Sequence, residues 1–130
     1  MTLPDYLRAA AARPWKWGEQ DCCTFVAGWV IERGHSDPMA FIRGRYDSER
    51  SALLRISRGG GLVLLWQRGM GEAGIPEAVG LHAGDVGVIE RETAEGPDEV
   101  AAIFSGERWV SLALHGIEAA PATALAAWRP

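Results

Sequence analysis

The stretch from residue 15 to residue 30, WKWGEQDCCTFVAGWV, constrains the fold more than any other part of the chain. An aromatic, extended approach ends at Gly18, and Asp21 is a residue type that caps helices by accepting free backbone N–H groups. After it, apolar residues from Cys22 to Val30 recur at helical i, i+3, i+4 and i+7 spacing. This periodicity predicts a helix with one buried stripe, around which we expect the rest of the chain to be arranged.

Cys22 falls in the first turn of this predicted helix, where the positive end of the helix dipole favours a thiolate. Such a placement is how proteins make a cysteine nucleophilic near neutral pH. The alternative interpretation is packing alone, because a free cysteine often behaves as a small buried hydrophobe. Cys22 and Cys23 are the only cysteines. Since adjacent cysteines rarely form an unstrained disulfide, both are predicted to be free thiols, as in a reducing compartment.

Length and charge exclude several classes of protein. The 130 residues predict a single domain, 1–130, and the net charge of −4 argues against nucleic acid as a partner. No apolar run approaches the ~20 residues of a membrane span. The start of the chain, MTLPDY, lacks the basic-then-apolar pattern of a secretory signal, which predicts a cytoplasmic protein. Two cysteines without paired histidines predict no zinc site, and no cofactor motif is present.

The remaining patterns place helices first and strands second, which is typical of an α+β domain. Helices are predicted over Thr2–Ala12, from Asp47 or Ser48 through Ile56, and over Leu62–Ala73, with Gly59–Gly61 as a helix break. Strands are predicted over Asp85–Ile89, Glu99–Phe104 and Arg108–Ala113, with a short fourth at Gly116–Glu118. The polar segment Glu90–Asp98 is predicted to be a hairpin loop, and the alanine-rich segment Ala119–Trp128 a closing helical turn.

Three segments resemble the NlpC-type cell-wall cysteine peptidases, a papain-like family. The sequence DCCTFV from Asp21 is similar to the family's Asp-Cys-Ser-Gly-aromatic/aliphatic-Val segment, which opens the central helix with the nucleophile. GDV from Gly84 is similar to a strand opening, and AAIFSG from Ala101 to the strand His-Val-Ala-Ile-Tyr-x-Gly. The resemblance covers residues 15–34 and 81–114. It implies a papain-like fold with the Cys22 helix packed on a small C-terminal antiparallel sheet that carries the other catalytic residues.

One departure from the family bears on activity. Val100 stands where the family has the histidine that takes the thiol proton, and Ser111 falls near the position of the residue that orients that histidine. A valine cannot accept a proton, so the thiolate–imidazolium pair of a cysteine peptidase cannot form there. His35 is about one helix length (~20 Å) from the thiol. His82 and His115 remain as substitute bases, and His115 is preferred because it is nearer the orienting segment.

The aromatic residues allow two interpretations. Trp15 and Trp17 bracket Lys16 on an extended segment, so their side chains share one face. They either line a groove beside Cys22 for a glycan or peptide, together with Asp21, or cover the core. Trp29 and Trp66 fit helical stripes and are predicted to be core, whereas Trp109 and Trp128 lie either on a partner surface or in the core. Core is preferred for each of the six tryptophans. Capping explains Asp21 better than catalysis does.

Three hypotheses of function follow. In the first, the chain is an NlpC-type domain without its catalytic histidine. It serves as a tail-assembly or tail-tip protein of a phage, prophage or gene-transfer particle. Its partners are other tail proteins, and its location is the cytoplasm or the virion tail. In the second, it is an active cysteine hydrolase of peptidoglycan peptides, with Cys22 as nucleophile, His115 or His82 as base, and the helix N-terminus supplying oxyanion donors. In the third, it is a thiol enzyme of another class. The resemblance favours the first.

Overall fold

Four helices precede five strands in the computed structural model, which describes residues 1–130. The helices are α1 (Leu3–Ala11), α2 (Cys22–Glu32), α3 (Glu49–Arg58) and α4 (Leu62–Glu72). The strands are β1 (Val86–Thr93), β2 (Gly96–Phe104), β3 (Trp109–Ala113), β4 (Gly116–Ala120) and β5 (Thr123–Trp128). The predicted α+β class is therefore confirmed. None of the helices has the length and apolar character needed to cross a membrane.

The helix starts follow the local sequence. Thr2, Asp21 and Ser48 cap α1, α2 and α3 with side-chain oxygens that accept backbone N–H groups, and Ser48 is one of the two residues predicted to begin α3. No side chain caps α4, which begins after Gly60 and Gly61 in the left-handed region at φ values of 86° and 111°. Because glycine adopts these angles without steric cost, the glycine run separates α3 from α4.

The five strands form one antiparallel sheet in the order β4-β3-β2-β1-β5, so β4 and β5 are its opposite edges. Only Pro121 and Ala122 connect these edges, and three Cα steps span at most ~11 Å. The edges of a flat five-stranded sheet would be ~19 Å apart. The sheet must therefore be rolled into a partly open barrel. An ion pair across its concave face agrees with this shape, since Arg91 Nη1 of β1 lies 2.9 Å from Glu118 Oε2 of β4.

Two segments differ from the prediction. The Glu90–Asp98 segment is not a loop, because β1 and β2 continue as paired strands to a turn at Ala94 and Glu95. This polar hairpin is stabilised by hydrogen bonds from Arg91 to Asp98 and from Thr93 Oγ1 to the Gly96 carbonyl. Its faces are exposed, so its sequence shows no hydrophobic alternation from which strands could be predicted.

The prediction of a helical turn over Ala119–Trp128 is also wrong. Residues 116–120 complete β4, and 123–128 form β5, which pairs antiparallel with β1. Pro121 falls between the two strands. The small side chains Ala122, Ala124 and Ala127 pack against the apolar cluster of the concave face. That contact, made with residues distant in sequence, overrides the helix propensity of alanine.

The main core lies between α2 and the convex face of the sheet. Phe25, Val26 and Val30 of α2 are almost fully buried and belong to one cluster with inward residues of the strands, such as Val88 and Ile103. The expected packing of the Cys22 helix on the sheet is thus present, with its main contacts on β2 and β3. Four of the six tryptophans predicted to be core are fully buried: Trp29, Trp66, Trp109 and Trp128.

Both tyrosine hydroxyls of the chain are engaged inside this core. Tyr6 donates to the Phe25 carbonyl and Tyr46 to Asp21 Oδ2. Burial raises the pKa of Tyr6 to about 12. Burial, together with Cys23 and Asp21, also raises the pKa of Tyr46. The folded chain therefore holds both hydroxyls protonated beyond the pH at which an unfolded tyrosine ionises.

We expect the chain to unfold between about pH 10 and 12, with both tyrosines ionising in that transition. A folded-state pKa above the unfolded value contributes stability that is present below ~pH 10 and is lost as the pH rises through the folded value. Tyr6 alone accounts for a loss on the order of 2 kcal/mol. Tyrosinate absorbance, followed together with circular dichroism, measures this. Ionisation with a midpoint near pH 10 in a chain that is still folded would contradict it.

Candidate functional site

Asp21 organises the segment that positions Cys22. Its carboxylate is buried and accepts three hydrogen bonds, from Thr24 N at 2.9 Å, Gly18 N at 2.8 Å and the Tyr46 hydroxyl at 2.7 Å. Thr24 Oγ1 in turn accepts from Asp21 N at 2.8 Å, which completes a capping box. Both carboxylate oxygens are therefore satisfied within the protein. Asp21 joins the aromatic approach, the start of α2 and the loop that carries Tyr46.

Gly18 is required by this arrangement. Its φ is 84°, and a Cβ atom built there would lie 2.4 Å from the Tyr46 carbonyl oxygen. Any side chain would push the approach segment away from the Tyr46 loop. Gly18 thus lets the backbone of the tryptophan-containing approach come into close contact with the backbone of the Tyr46 loop. This contact explains why a glycine stands three residues before Asp21.

Cys22 is the first residue of α2 and is half-buried. Its side chain packs against the main core and also against a cluster on the concave face of the sheet, made of Ile89, Val100, Ala102 and Trp109. We call this the concave-face cluster. The structure therefore brings Cys22 to the cluster that contains Val100. The hydrophobic side chains of this cluster cannot accept the thiol proton.

A narrow cavity lies on the other side of Cys22. Its volume is about 40 Å³, and nine of its eleven lining residues are hydrophobic, among them Cys23, Tyr46 and Ile56. A water molecule needs roughly 10–15 Å³ by the same measure. A ligand pocket measures ~300 Å³ or more, so this cavity is far smaller than a ligand pocket. It cannot admit a peptide to the thiol from this direction.

Cys23 is buried in the core. The adjacent Cys22 thiol, burial and the Asp21 carboxylate raise the pKa of Cys23 well above its usual range. A thiol held in the neutral form is a poor nucleophile and a poor metal ligand. Cys23 therefore fills space beneath α2. No cluster of three or more histidine, cysteine, aspartate or glutamate side chains is arranged to hold a metal ion.

The two candidate bases lie in other parts of the molecule. His82 is exposed and lines a groove with Trp29 and Arg33, at the C-terminal end of α2. The eleven residues from Cys22 to Arg33 rise ~16 Å along the helix. His115 is exposed in the turn between β3 and β4, where it lines a groove with Pro14 and Trp15. Neither imidazole lines the cavity beside Cys22.

Trp15 and Trp17 form an edge-to-face pair with ring centroids 4.9 Å apart. Both are half-buried and pack against the main core, and Trp17 also lines the cavity beside Cys22. Trp15 instead borders the groove that contains His115. The pair thus covers the core, and its two members border different depressions instead of one shared binding groove.

A larger groove occupies the concave face of the sheet. It measures about 710 Å³ and is lined by Ile89, Arg91, Trp109, Ser111 and Glu118, among others. Ile89 and Trp109 also belong to the concave-face cluster, so the groove adjoins the cluster against which Cys22 packs. Ser111, which also lines the groove, is buried.

Sequence reasoning did not identify Arg91 as a residue of this groove. Arg91 bonds to Asp98 and Glu118, each at 2.9 Å, and these carboxylates raise its pKa, with the Asp98 hydrogen bond contributing most. A signal was present, because Arg91 is the only basic residue between Gly84 and Glu107 among several carboxylates. A lone cation in such a segment indicates an internal ion pair.

The strand-opening motif GDV also has a structural role. Asp85 is buried and accepts two hydrogen bonds from the Arg129 guanidinium, at 2.9 and 2.8 Å, and one from His82 N at 2.8 Å. The bidentate pair ties the end of the chain to the start of β1. Asp85 therefore closes the sheet at the end remote from Cys22.

One family, described as "Domain of unknown function (DUF6950)", has a model that matches residues 1–130. No curated protein and no solved structure matches the chain.

Proposed function

We propose that this chain, which belongs to the DUF6950 family over residues 1–130, is a catalytically degenerate protein of the NlpC-type, papain-like fold. We propose further that it acts in tail assembly, or at the tail tip, of a phage, prophage or gene-transfer particle. The place of Cys22 at the start of a central helix, packed on an antiparallel sheet, supports the fold relationship. So does the order of the three similar segments along the chain.

The observation that carries the loss of catalysis is the packing of Cys22 against the concave-face cluster, with Val100 in place of a base. A cysteine peptidase needs an imidazole within hydrogen-bond reach of the thiol and a third group that orients it. Here the cluster on which Cys22 packs supplies only hydrophobic side chains, and His82 and His115 line other grooves. The polar groups before Cys22 serve the helix start: Asp21 is saturated by three donors.

The tail assignment rests on the resemblance. Small relatives of this kind look like proteins of tail gene clusters, in which active NlpC-type domains are carried at the tail tip to open the cell wall. A chain that keeps the fold and lacks the base retains surfaces for other tail subunits. In this proposal its partners are tail proteins, and it resides in the cytoplasm until it enters the virion tail.

Particle formation in a host whose inducible tail cluster contains this gene tests both parts. Deleting the gene is expected to abolish infectious or transducing particles, and Cys22→Ala is expected to restore the wild-type titre because the thiol has no chemical role. An immunoblot of purified particles should find the chain in tails. A Cys22→Ala chain that is folded and present at normal levels but fails to restore particles would overturn the loss of catalysis. Normal tails after deletion would overturn the assembly role.

The second candidate is an active cysteine hydrolase of peptidoglycan peptides. The observation that favours it is the groove of about 710 Å³, which adjoins the cluster around Cys22 and is large enough for a short peptide. It predicts that purified chain cleaves muropeptides and that Cys22→Ser abolishes cleavage. The base would then be His115, and His115→Ala would give the same loss.

A further inference from the structure

Opposite charges are concentrated in two separate parts of the chain. Residues 43–68 contain six arginines and two carboxylates, whereas residues 90–99 of the β1–β2 hairpin contain five carboxylates and one arginine. The overall charge of −4 conceals this division. No ion pair joins the two regions within one molecule, since Asp98, the one hairpin carboxylate that is ion-paired, bonds to Arg91. Each region therefore presents its excess charge to the surroundings.

The positive region contains a groove between α3 and α4. The groove measures about 350 Å³ and is lined by Phe41, Leu64, Arg55, Arg58 and Arg68, among others. Arg68 stacks over the Phe41 ring and pairs with Glu72, and Arg55 donates to the Arg45 carbonyl. Arg58 is exposed and has no ion-pair partner. We call this depression the arginine groove.

Exposed leucines lie on the two helices that form the arginine groove. Leu53, Leu54 and Leu64 expose 57%, 47% and 54% of their surface, which is a high value for three leucines on two adjacent helices. Exposed apolar groups beside unpaired arginines are typical of a protein–protein contact surface. The occupant of such a surface would carry carboxylates and be narrow enough to lie between two helices.

The end of the β1–β2 hairpin has these properties. Beyond Glu90, β1 pairs only with β2, and the three residue pairs from Arg91–Asp98 to Thr93–Gly96 project ~10 Å from the sheet. Glu92, Glu95, Asp98 and Glu99 are exposed along this arm. Arg91, held between Asp98 and Glu118, fastens the base of the arm to β4, so little ordering is needed when it binds. We call residues 91–98 the acidic arm.

We propose that the acidic arm of one copy docks in the arginine groove of a second copy. The charges are complementary, the arm is narrow and already ordered, and docking would cover the exposed Leu64, which lines the groove. The contact is heterologous, because it joins different surfaces of the two copies. Its repetition builds a ring or filament, whereas two copies that each dock an arm in the other's groove form a dimer. Because it rests on electrostatics at an exposed surface, the association weakens as salt screens the charges. This inference does not depend on the proposed function.

Sedimentation of the full chain at ~50 mM and ~500 mM salt tests the proposal. We expect concentration-dependent oligomers at low salt that dissociate to the 14.1 kDa monomer at high salt. Arg58→Glu should weaken self-association at least about tenfold, because it places like charges together. Arg108→Glu makes the same charge change in the exposed turn between β2 and β3, outside both regions, and should leave the association unchanged.

A charge exchange makes the test specific for the arm. The double variant Glu92→Lys/Glu95→Lys should be monomeric alone, as should Arg58→Glu, and a mixture of the two should associate. Association of the wild type that neither change affects would overturn the proposal, as would a wild type that is monomeric at low salt. Binding of a poly-glutamate peptide to the arginine groove without any self-association would also overturn the proposal, because the groove would then bind another acidic protein.

Discussion

Replacing Asp21 by alanine is expected to destabilise the chain by about 3–5 kcal/mol. Loss of a helix N-cap costs about 1 kcal/mol. Two further donors, Gly18 N and the Tyr46 hydroxyl, would lose the acceptor that satisfies them inside the protein. An orphaned buried donor costs about 1–3 kcal/mol. The total is a large share of the ~5–15 kcal/mol that stabilises a typical domain and should lower Tm by roughly 10–20 °C.

Chemical and thermal unfolding measure this effect, and Ser48→Ala is the matched control. Ser48 caps α3 through the same capping box but holds no distant segment, so its loss should cost only about 1 kcal/mol. The double variant Asp21→Ala/Tyr46→Phe should show coupling of more than about 0.5 kcal/mol. If Asp21→Ala were no more harmful than Ser48→Ala, the role of Asp21 in joining three segments would be refuted.

Placing histidine at position 100 is expected to make Cys22 more reactive. An imidazole in the concave-face cluster would stand beside the thiol and accept its proton, and general-base assistance is worth roughly 100-fold or more. We expect Val100→His to raise the rate of Cys22 alkylation by iodoacetamide at neutral pH by at least about tenfold. Burying the polar ring should cost about 1–3 kcal/mol in stability.

Peptide mass mapping separates Cys22 from the buried Cys23 in this measurement, and Val100→Asn is the control. Asparagine is similar in size to valine and is polar, but it is not a base. An equal increase in Val100→Asn would show that loosened packing exposes the thiol. No increase in a folded Val100→His chain would mean that Val100 does not occupy the position of the general base.

Local signals made the helix starts predictable. Thr2, Asp21 and Ser48 act on backbone groups within three residues, so their caps could be identified without knowledge of the tertiary structure. The segment Ala119–Trp128 had no such signal. Its strand state arises from pairing with β1 more than thirty residues earlier and from the rolled sheet, which needs small side chains on the concave face.

The candidate site was predictable to a similar extent. The placement of Cys22 at the start of α2 followed from the Asp21 cap and the apolar spacing. The partner of Asp21 did not, because Tyr46 lies 25 residues away in an irregular segment with no periodic pattern. The ion pair between Arg91 and Glu118 likewise joins strands that are not neighbours in the sheet, and only the rolled shape brings them together.

We infer that no imidazole acts as a base for Cys22 in the native chain. The rate of Cys22 alkylation in the native wild-type chain at neutral pH, relative to that in the unfolded chain, tests it most directly. We predict a native rate equal to or below the unfolded rate, because packing shields the thiol and no imidazole activates it. A native rate at least about tenfold higher, lost in His115→Ala or His82→Ala, would contradict the claim and identify the substitute base.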